Sequence, residues 1–155
     1  HPSAIIGELP LGVPNNLIPY LTQTASGIRQ KLTVFGNDYP TPDGTCVRDY
    51  LHVMDLAEAH VAALKWCKTQ ASTSSVVRAF NLGTGQGASV LEVIQTFERV
   101  TGQQVAHEIG RRRAGDVVAI WADPSRAQKE LAWSTQRDLA TSLQDAWRWQ
   151  EKLGR

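Results

Sequence analysis

A chain of 155 residues with net charge +1, 42% hydrophobic and 20% charged, can build one core and offers no bulk field to nucleic acid or an anionic membrane. Its two cysteines, Cys46 and Cys67, exclude a disulfide scaffold, sit in no metal-ligand spacing, and read as free thiols of a reducing cytoplasm. Apolar runs are too short to span a bilayer and no basic-then-apolar leader opens the chain, so neither a membrane span nor a signal peptide is expected.

In chain order, residues 9–16 are rich in turn formers and read as a loop. Asn15 or Asn16 then caps a helix over residues 17–27, with Pro19 tolerated in the first turn and Gly27 as its stop. Residues 31–35 read as a strand, 36–44 as a long turn and 45–53 as a returning extended segment, together a hairpin with a large loop. Asp55 is expected to cap an Ala-rich helix over residues 56–68, with Leu56, Ala59, Ala63 and Cys67 on its inner face. A polar loop over 72–75 leads to a strand over 76–80 and the glycine turn 83–87. Ser89 and Glu92 form a capping box for a helix reaching Gly102, and residues 104–109 read as a short strand. Asp123 followed by Pro124 opens a helix to Leu131, and a last helix begins near Asp138 with Leu139, Leu143 and Trp147 in line. Interleaved helices and strands place the chain in the α/β or α+β class, and no repeat or linker divides it.

The glycine turn Gly83-x-Gly85-x-x-Ala88 lies between strand and helix, as a dinucleotide fingerprint does. Ser89 already serves the helix amides, however, and the following strand is polar rather than a buried parallel one, so a structural turn is the better reading. Glu108 stands where an acidic ribose partner would, a match too cheap to carry a cofactor site.

Arginine suits a diphosphate because its planar fork stays charged and offers paired donors. Arg48 and Arg113 are the candidates, against a surface ion pair of Arg48 with Asp49 or Asp43 and a solvated basic loop at residues 111–113. Asp116 is a candidate acceptor for ribose hydroxyls or a turn residue, Phe35 a candidate base platform or core residue, and Asn16 a phosphate contact or a cap.

Pro14-Asn-Asn-Leu17, the long run from Leu32 through Gly36, Gly44, Arg48 and Tyr50 to Val53, Asn81-Leu-Gly-Thr-Gly85, Arg112-Arg-Ala-Gly-Asp116, Trp121-Ala-Asp123 and Trp147-Arg-Trp149 together resemble the UDP-glucose 4-epimerases. These are extended short-chain dehydrogenase/reductase proteins, and the resemblance covers essentially the whole chain in family order. It implies an α/β fold: the carboxyl-terminal, substrate-binding part of such an enzyme, a small mixed sheet with helices over residues 1–155, its NAD-binding Rossmann domain lying upstream. It implies that Asn16 and Leu17 contact the UDP moiety, Phe35 holds the uracil, Arg48 and Arg113 grip the pyrophosphate, Tyr50 lies in the same pocket and Asp116 meets the ribose. Ile120 takes the position facing the hexose. Isoleucine lies between the small residue of enzymes acting on N-acetylated sugars and the bulky aromatic of strict ones, so UDP-GlcNAc and UDP-GalNAc stay open beside UDP-glucose and UDP-galactose.

The reaction so implied belongs to galactose metabolism: NAD transiently oxidises C4 of the sugar, and a Tyr-x-x-x-Lys pair moves the proton. This chain has no such pair, since Thr24, Asp43 and Met54 stand four residues after Tyr20, Tyr39 and Tyr50. The chain alone is therefore expected to be inactive, and a homodimer is implied for the full-length protein. Sibling nucleotide-sugar dehydratases or decarboxylases and a non-catalytic UDP-sugar-binding module are the alternatives.

Overall fold

Helices form where the sequence supplies both caps and an apolar stripe. In the computed structural model, which describes residues 1–70 and 75–154, the order is α1 (Leu17–Ala25), β1 (Leu32–Phe35), β2 (Val47–Arg48), α2 (Val53–Thr69), β3 (Ala88–Ser89), α3 (Val90–Thr101), β4 (His107–Gly110), β5 (Ala119–Ile120), α4 (Ser125–Leu131) and α5 (Leu139–Leu153). Of the polar loop expected over 72–75, residues 72–74 lie outside the described residues.

The capping box is formed: the Ser89 hydroxyl accepts from the Glu92 amide at 3.0 Å while the Glu92 carboxylate accepts from the Ser89 amide at 3.3 Å. Gly102, at φ 71°, ends α3 in the left-handed conformation that favours glycine. Between these stops α3 buries Val93, Ile94 and Phe97 against Leu21 of α1, Leu32 and Val34 of β1, Val105 and Leu143 of α5. Trp147 of α5 meets Phe97 edge-on at 5.7 Å. Full burial of Phe97 contributes about 1.5–3 kcal/mol. α5 begins next to Asp138, as expected, and the Asp138 carboxylate caps it, accepting from the Thr141 amide at 2.8 Å.

The sheets depart from the expected hairpin. β1 pairs in parallel with β4, whereas β2 lies in a second sheet of order β3-β2-β5, antiparallel to β3 and parallel to β5. The intervening loop closes on itself, with the Tyr39 amide donating to the Gly44 carbonyl at 3.0 Å and the Thr41 hydroxyl to the Thr45 carbonyl at 2.7 Å. That closure sends β2 away from β1. β4 is polar and exposed, as expected, yet parallel: β1 already buries Leu32 and Val34, and β4 merely lies along its edge.

A second cluster joins α2 and α4 through Ala59, Ala127, Leu131 and Trp133. Here four local expectations fail. α2 starts two residues before Asp55, its end capped by the His52 ring, which accepts from the Met54 amide at 3.0 Å. Asp55 is fully buried instead, pairing with Arg137 and accepting from the Gln136 and Arg137 amides at 3.2 and 3.0 Å. The inner face of α2 is Ala59, Ala62, Ala63 and Trp66, leaving Leu56 and Cys67 exposed. Residues 76–80 form no strand; Phe80 is held by its ring, edge-on to Trp66 at 5.4 Å. Pro124, rather than Asp123, is the N-cap of α4, and the Asp123 carboxylate reaches over it to accept from the Ser125 amide at 3.0 Å. Among the described residues no helix is long and apolar enough to cross a membrane.

Candidate functional site

The site is built where β2 ends. Arg48 lies opposite Ile120 in the β2–β5 register, which brings the segment before β5 alongside its guanidinium. Nη1 donates to the carbonyls of Val117 at 2.7 Å and Val47 at 2.8 Å, and Nη2 reaches Asp116 Oδ1 at 3.5 Å. A guanidinium has five donors, so part of the fork is left for a further acceptor. The surface pairing considered for Arg48 with Asp49 or Asp43 is absent. Asp43 is occupied by Thr45 and Ser89, and Asp49 by Thr84 and Ala122.

Arg113 approaches from the loop between β4 and β5. Its Nη2 donates to the same Asp116 oxygen at 3.0 Å, and its guanidinium carbon lies 5.6 Å from the centre of the Phe35 ring. The Asp116 hydrogen bond holds the Arg113 guanidinium above its ordinary value. Asp116 is mostly buried and Arg113 mostly exposed. Phe35, at the end of β1, is 45% exposed, which favours a platform over a core role. Its neighbour Gly36 has φ +87°, and a Cβ there would crowd Arg112 and Tyr39. Arg112 itself sits 4.0 Å above the Tyr39 ring and pairs with Asp38 at 2.6 Å, so the basic run is an exposed loop in which Arg112 and Arg113 each have a protein partner.

Tyr50, two residues past Arg48, is packed against the main core. Burial pushes its hydroxyl up to about 12 against the opposing pull of Arg48, so it is a neutral donor at physiological pH. It lines two clefts of about 500 and 330 Å³, neither of which is lined by Arg48, Arg113 or Asp116. Asn16 holds the N-cap conformation at α1 but makes no cap bond; its amide donates to Glu8 at 2.8 Å. Leu17 packs on the core, so the structure groups Phe35, Arg48, Arg113, Asp116 and Ile120 directly, while Asn16 touches none of them. Ile120 is exposed at the strand end beside the exposed Trp121.

A profile of the GDP-mannose 4,6 dehydratase family matches residues 7–146, from the loop before α1 through both sheets and both arginines into α5. The chain belongs to that family. It is similar to a UDP-glucose 4-epimerase of Neisseria meningitidis, 52% identical over 149 residues, which cover 96% of this chain and 43% of that protein. Among solved structures it resembles the UDP-glucose-4-epimerase of Stenotrophomonas maltophila with bound NAD and formylated UDP-arabinopyranose, at TM-score 0.94 and 50% identity over 100% of this chain and 45% of that one. It also resembles the Bifidobacterium longum UDP-glucose 4-epimerase in complex with NAD+ and UDP, at TM-score 0.91 and 43% identity over 98% of this chain and 44% of that one. This chain thus spans under half the length of the relatives it matches.

Two of these family members carry NAD, but the glycine turn of this chain does not fit a dinucleotide. The Thr84 amide and hydroxyl both donate to Asp49, at 3.0 and 2.7 Å, and the space beside Gly83 is filled by the Asp49 carboxylate and Ala122. The helix amides beyond are served by Ser89. No phosphate-sized cradle is left there. Motif reading passes over Asp49 and Arg112 as parts of the site. The signal for Asp49 is a glycine pair after a strand-like segment with no phosphate to bind; nothing local selects Arg112 from its arginine neighbours.

Proposed function

We propose that this chain supplies the UDP-hexose-binding surface of a UDP-glucose/UDP-galactose 4-epimerase of galactose metabolism. The observation that carries this reading is the convergence of Arg48 and Arg113 on one oxygen of Asp116 beside an exposed Phe35 ring. Two cations and an aromatic face in one place suit a uridine diphosphate, with the arginines on its phosphates and the ring under its base. Asp116 then accepts from the ribose, Tyr50 donates within the pocket, Asn16 and Leu17 border the nucleotide, and Ile120 faces the hexose. Isoleucine leaves room for UDP-GlcNAc and UDP-GalNAc as weaker substrates.

NAD would supply the hydride chemistry at C4 and is held mainly by residues outside this chain, because the glycine turn here is filled by Asp49. The proton-transferring Tyr-x-x-x-Lys pair is not among these residues either. The full-length protein is accordingly the active, cytoplasmic and dimeric species, and residues 1–155 are one UDP-sugar-binding region within it.

Calorimetric titration with UDP tests the binding surface, and conversion of UDP-galactose to UDP-glucose by the protein at its natural length tests the reaction. The 155-residue chain with added NAD should bind UDP without turnover. Release of a 4-keto-6-deoxy sugar instead would make the protein a dehydratase, and UDP binding with no turnover at natural length would make it a non-catalytic module.

A further inference from the structure

β2 is only two residues long, and its pairing with β5 ends at Arg48 opposite Ile120. So short a ladder cannot by itself hold an arginine in register for a ligand. The next residue, Asp49, lies just past the strand and shares no hydrogen-bond partner with Arg48. Its Oδ1 accepts from the Thr84 amide at 3.0 Å and the Thr84 hydroxyl at 2.7 Å, and its Oδ2 accepts from the Ala122 amide at 3.1 Å. One carboxylate therefore ties together the end of β2, the glycine turn and the segment leaving β5. Gly83 makes this possible, since a Cβ there would overlap both the Asp49 carboxylate and the Ala122 methyl. Arg48 and Tyr50 flank Asp49 in the chain, and Trp121 precedes Ala122.

We infer that Asp49 is a positioning residue for the UDP-binding surface, continuing the β2–β5 ladder through its side chain and so fixing Arg48 against Val117 and Asp116. Charged acceptors on backbone amides make the stronger hydrogen bonds, which suits a single side chain that replaces missing ladder rungs. The glycine turn serves the nucleotide site indirectly, by making room for this carboxylate. The inference rests on the UDP-binding reading given above.

The test is a double-mutant cycle on UDP affinity, measured by calorimetry on the protein at its natural length and well below its unfolding transition. Asp49→Ala should weaken UDP binding about tenfold, and the same change in an Arg48→Ala background should weaken it far less, because a loss that acts through Arg48 cannot be suffered again once Arg48 is gone. Asp49→Asn, which keeps an acceptor for Thr84 and loses the one for Ala122, should restore part of the affinity. Gly83→Ala should reproduce the loss seen in Asp49→Ala. A merely structural role would lower the melting temperature and leave the coupling to Arg48 at zero. Unchanged affinity in folded Asp49→Ala, or losses that add fully with Arg48→Ala, would overturn the positioning role while the UDP reading stands. If Asp49→Ala does not fold, the Asp49→Asn cycle decides on the same criteria. A wild-type protein that does not bind UDP removes the nucleotide reading, and the positioning role falls with it.

Discussion

Arg48 and Arg113 aim at the same atom: their Nη2 nitrogens lie 3.5 and 3.0 Å from Oδ1 of Asp116. Two guanidiniums that would otherwise repel are held together by one mostly buried carboxylate, 68 positions along the chain from Arg48. An anion arriving at this point meets two oriented forks and avoids most of the cost of gathering them. The Phe35 ring beneath Arg113 gives the same surface an apolar face.

Arg48→Ala should weaken UDP binding by about 1.5–3 kcal/mol, the range for a hydrogen bond to a charged group. Arg48→Lys should recover little of it, because Nη1 and Nη2 are used at once and an ammonium offers no fork. Calorimetry with UDP reads both variants, and unchanged affinity in Arg48→Ala would remove this residue from the site.

Salt should separate the two arginines. Arg113 is 60% exposed at its side chain and Arg48 30%, so screening acts more strongly on Arg113. UDP affinity should fall as sodium chloride rises, and Arg113→Ala should show a shallower dependence than wild type. Equal slopes would mean that Arg113 does not face the ligand.

What could be read from the sequence follows the range of the interactions. The capping box of α3, the start of α5 beside Asp138 and the glycine after α3 were legible because every partner lies within four residues. The hairpin failed because neither strand's partner is near: Leu32 pairs with His107, and Val47 with Ser89 and Ala119. The same distance hides the site's geometry. Local charge offered Asp43 and Asp49 as partners for Arg48, whereas Asp43 accepts from Thr45 and from Ser89 of β3, and Asp49 from Thr84 of the glycine turn. Residue types for a phosphate grip were visible; which of them converge was not.

Asp43 makes acid sensitivity predictable in sign. Burial pushes its carboxyl up, but hydrogen bonds from Ser89 and from the Thr45 amide and hydroxyl outweigh this and hold it below 3.8. A group with a folded pKa below its unfolded one stabilises the fold above the unfolded value, and that stabilisation disappears as pH falls through the folded value. Stability measured by urea denaturation should therefore decline below pH 3.8, and Asp43→Asn should flatten that decline. An undiminished acid slope in the variant would assign the effect to other carboxylates, Asp138 at the α5 cap foremost.

The loop that turns β2 away from β1 depends on Gly44. Its φ of +81° lies in the left-handed region, and a Cβ there would overlap the Asn37 carbonyl. Gly12 has a similar φ of +78°, but a methyl group there would meet nothing within 4 Å, so Gly12→Ala isolates the backbone strain alone. That strain costs about 1–2 kcal/mol. Gly44→Ala should lower the urea midpoint by clearly more than Gly12→Ala, because the Asn37 overlap adds to the same strain and opens the Tyr39–Gly44 closure. The change should also reach the ligand surface. Tyr39 carries Arg112, and Arg112 precedes Arg113, so UDP affinity should fall in Gly44→Ala and stay at the wild-type level in Gly12→Ala. Equal midpoints for the two variants would show that the loop relaxes around the added methyl, and equal affinities would show that its closure does not hold the arginine loop in place.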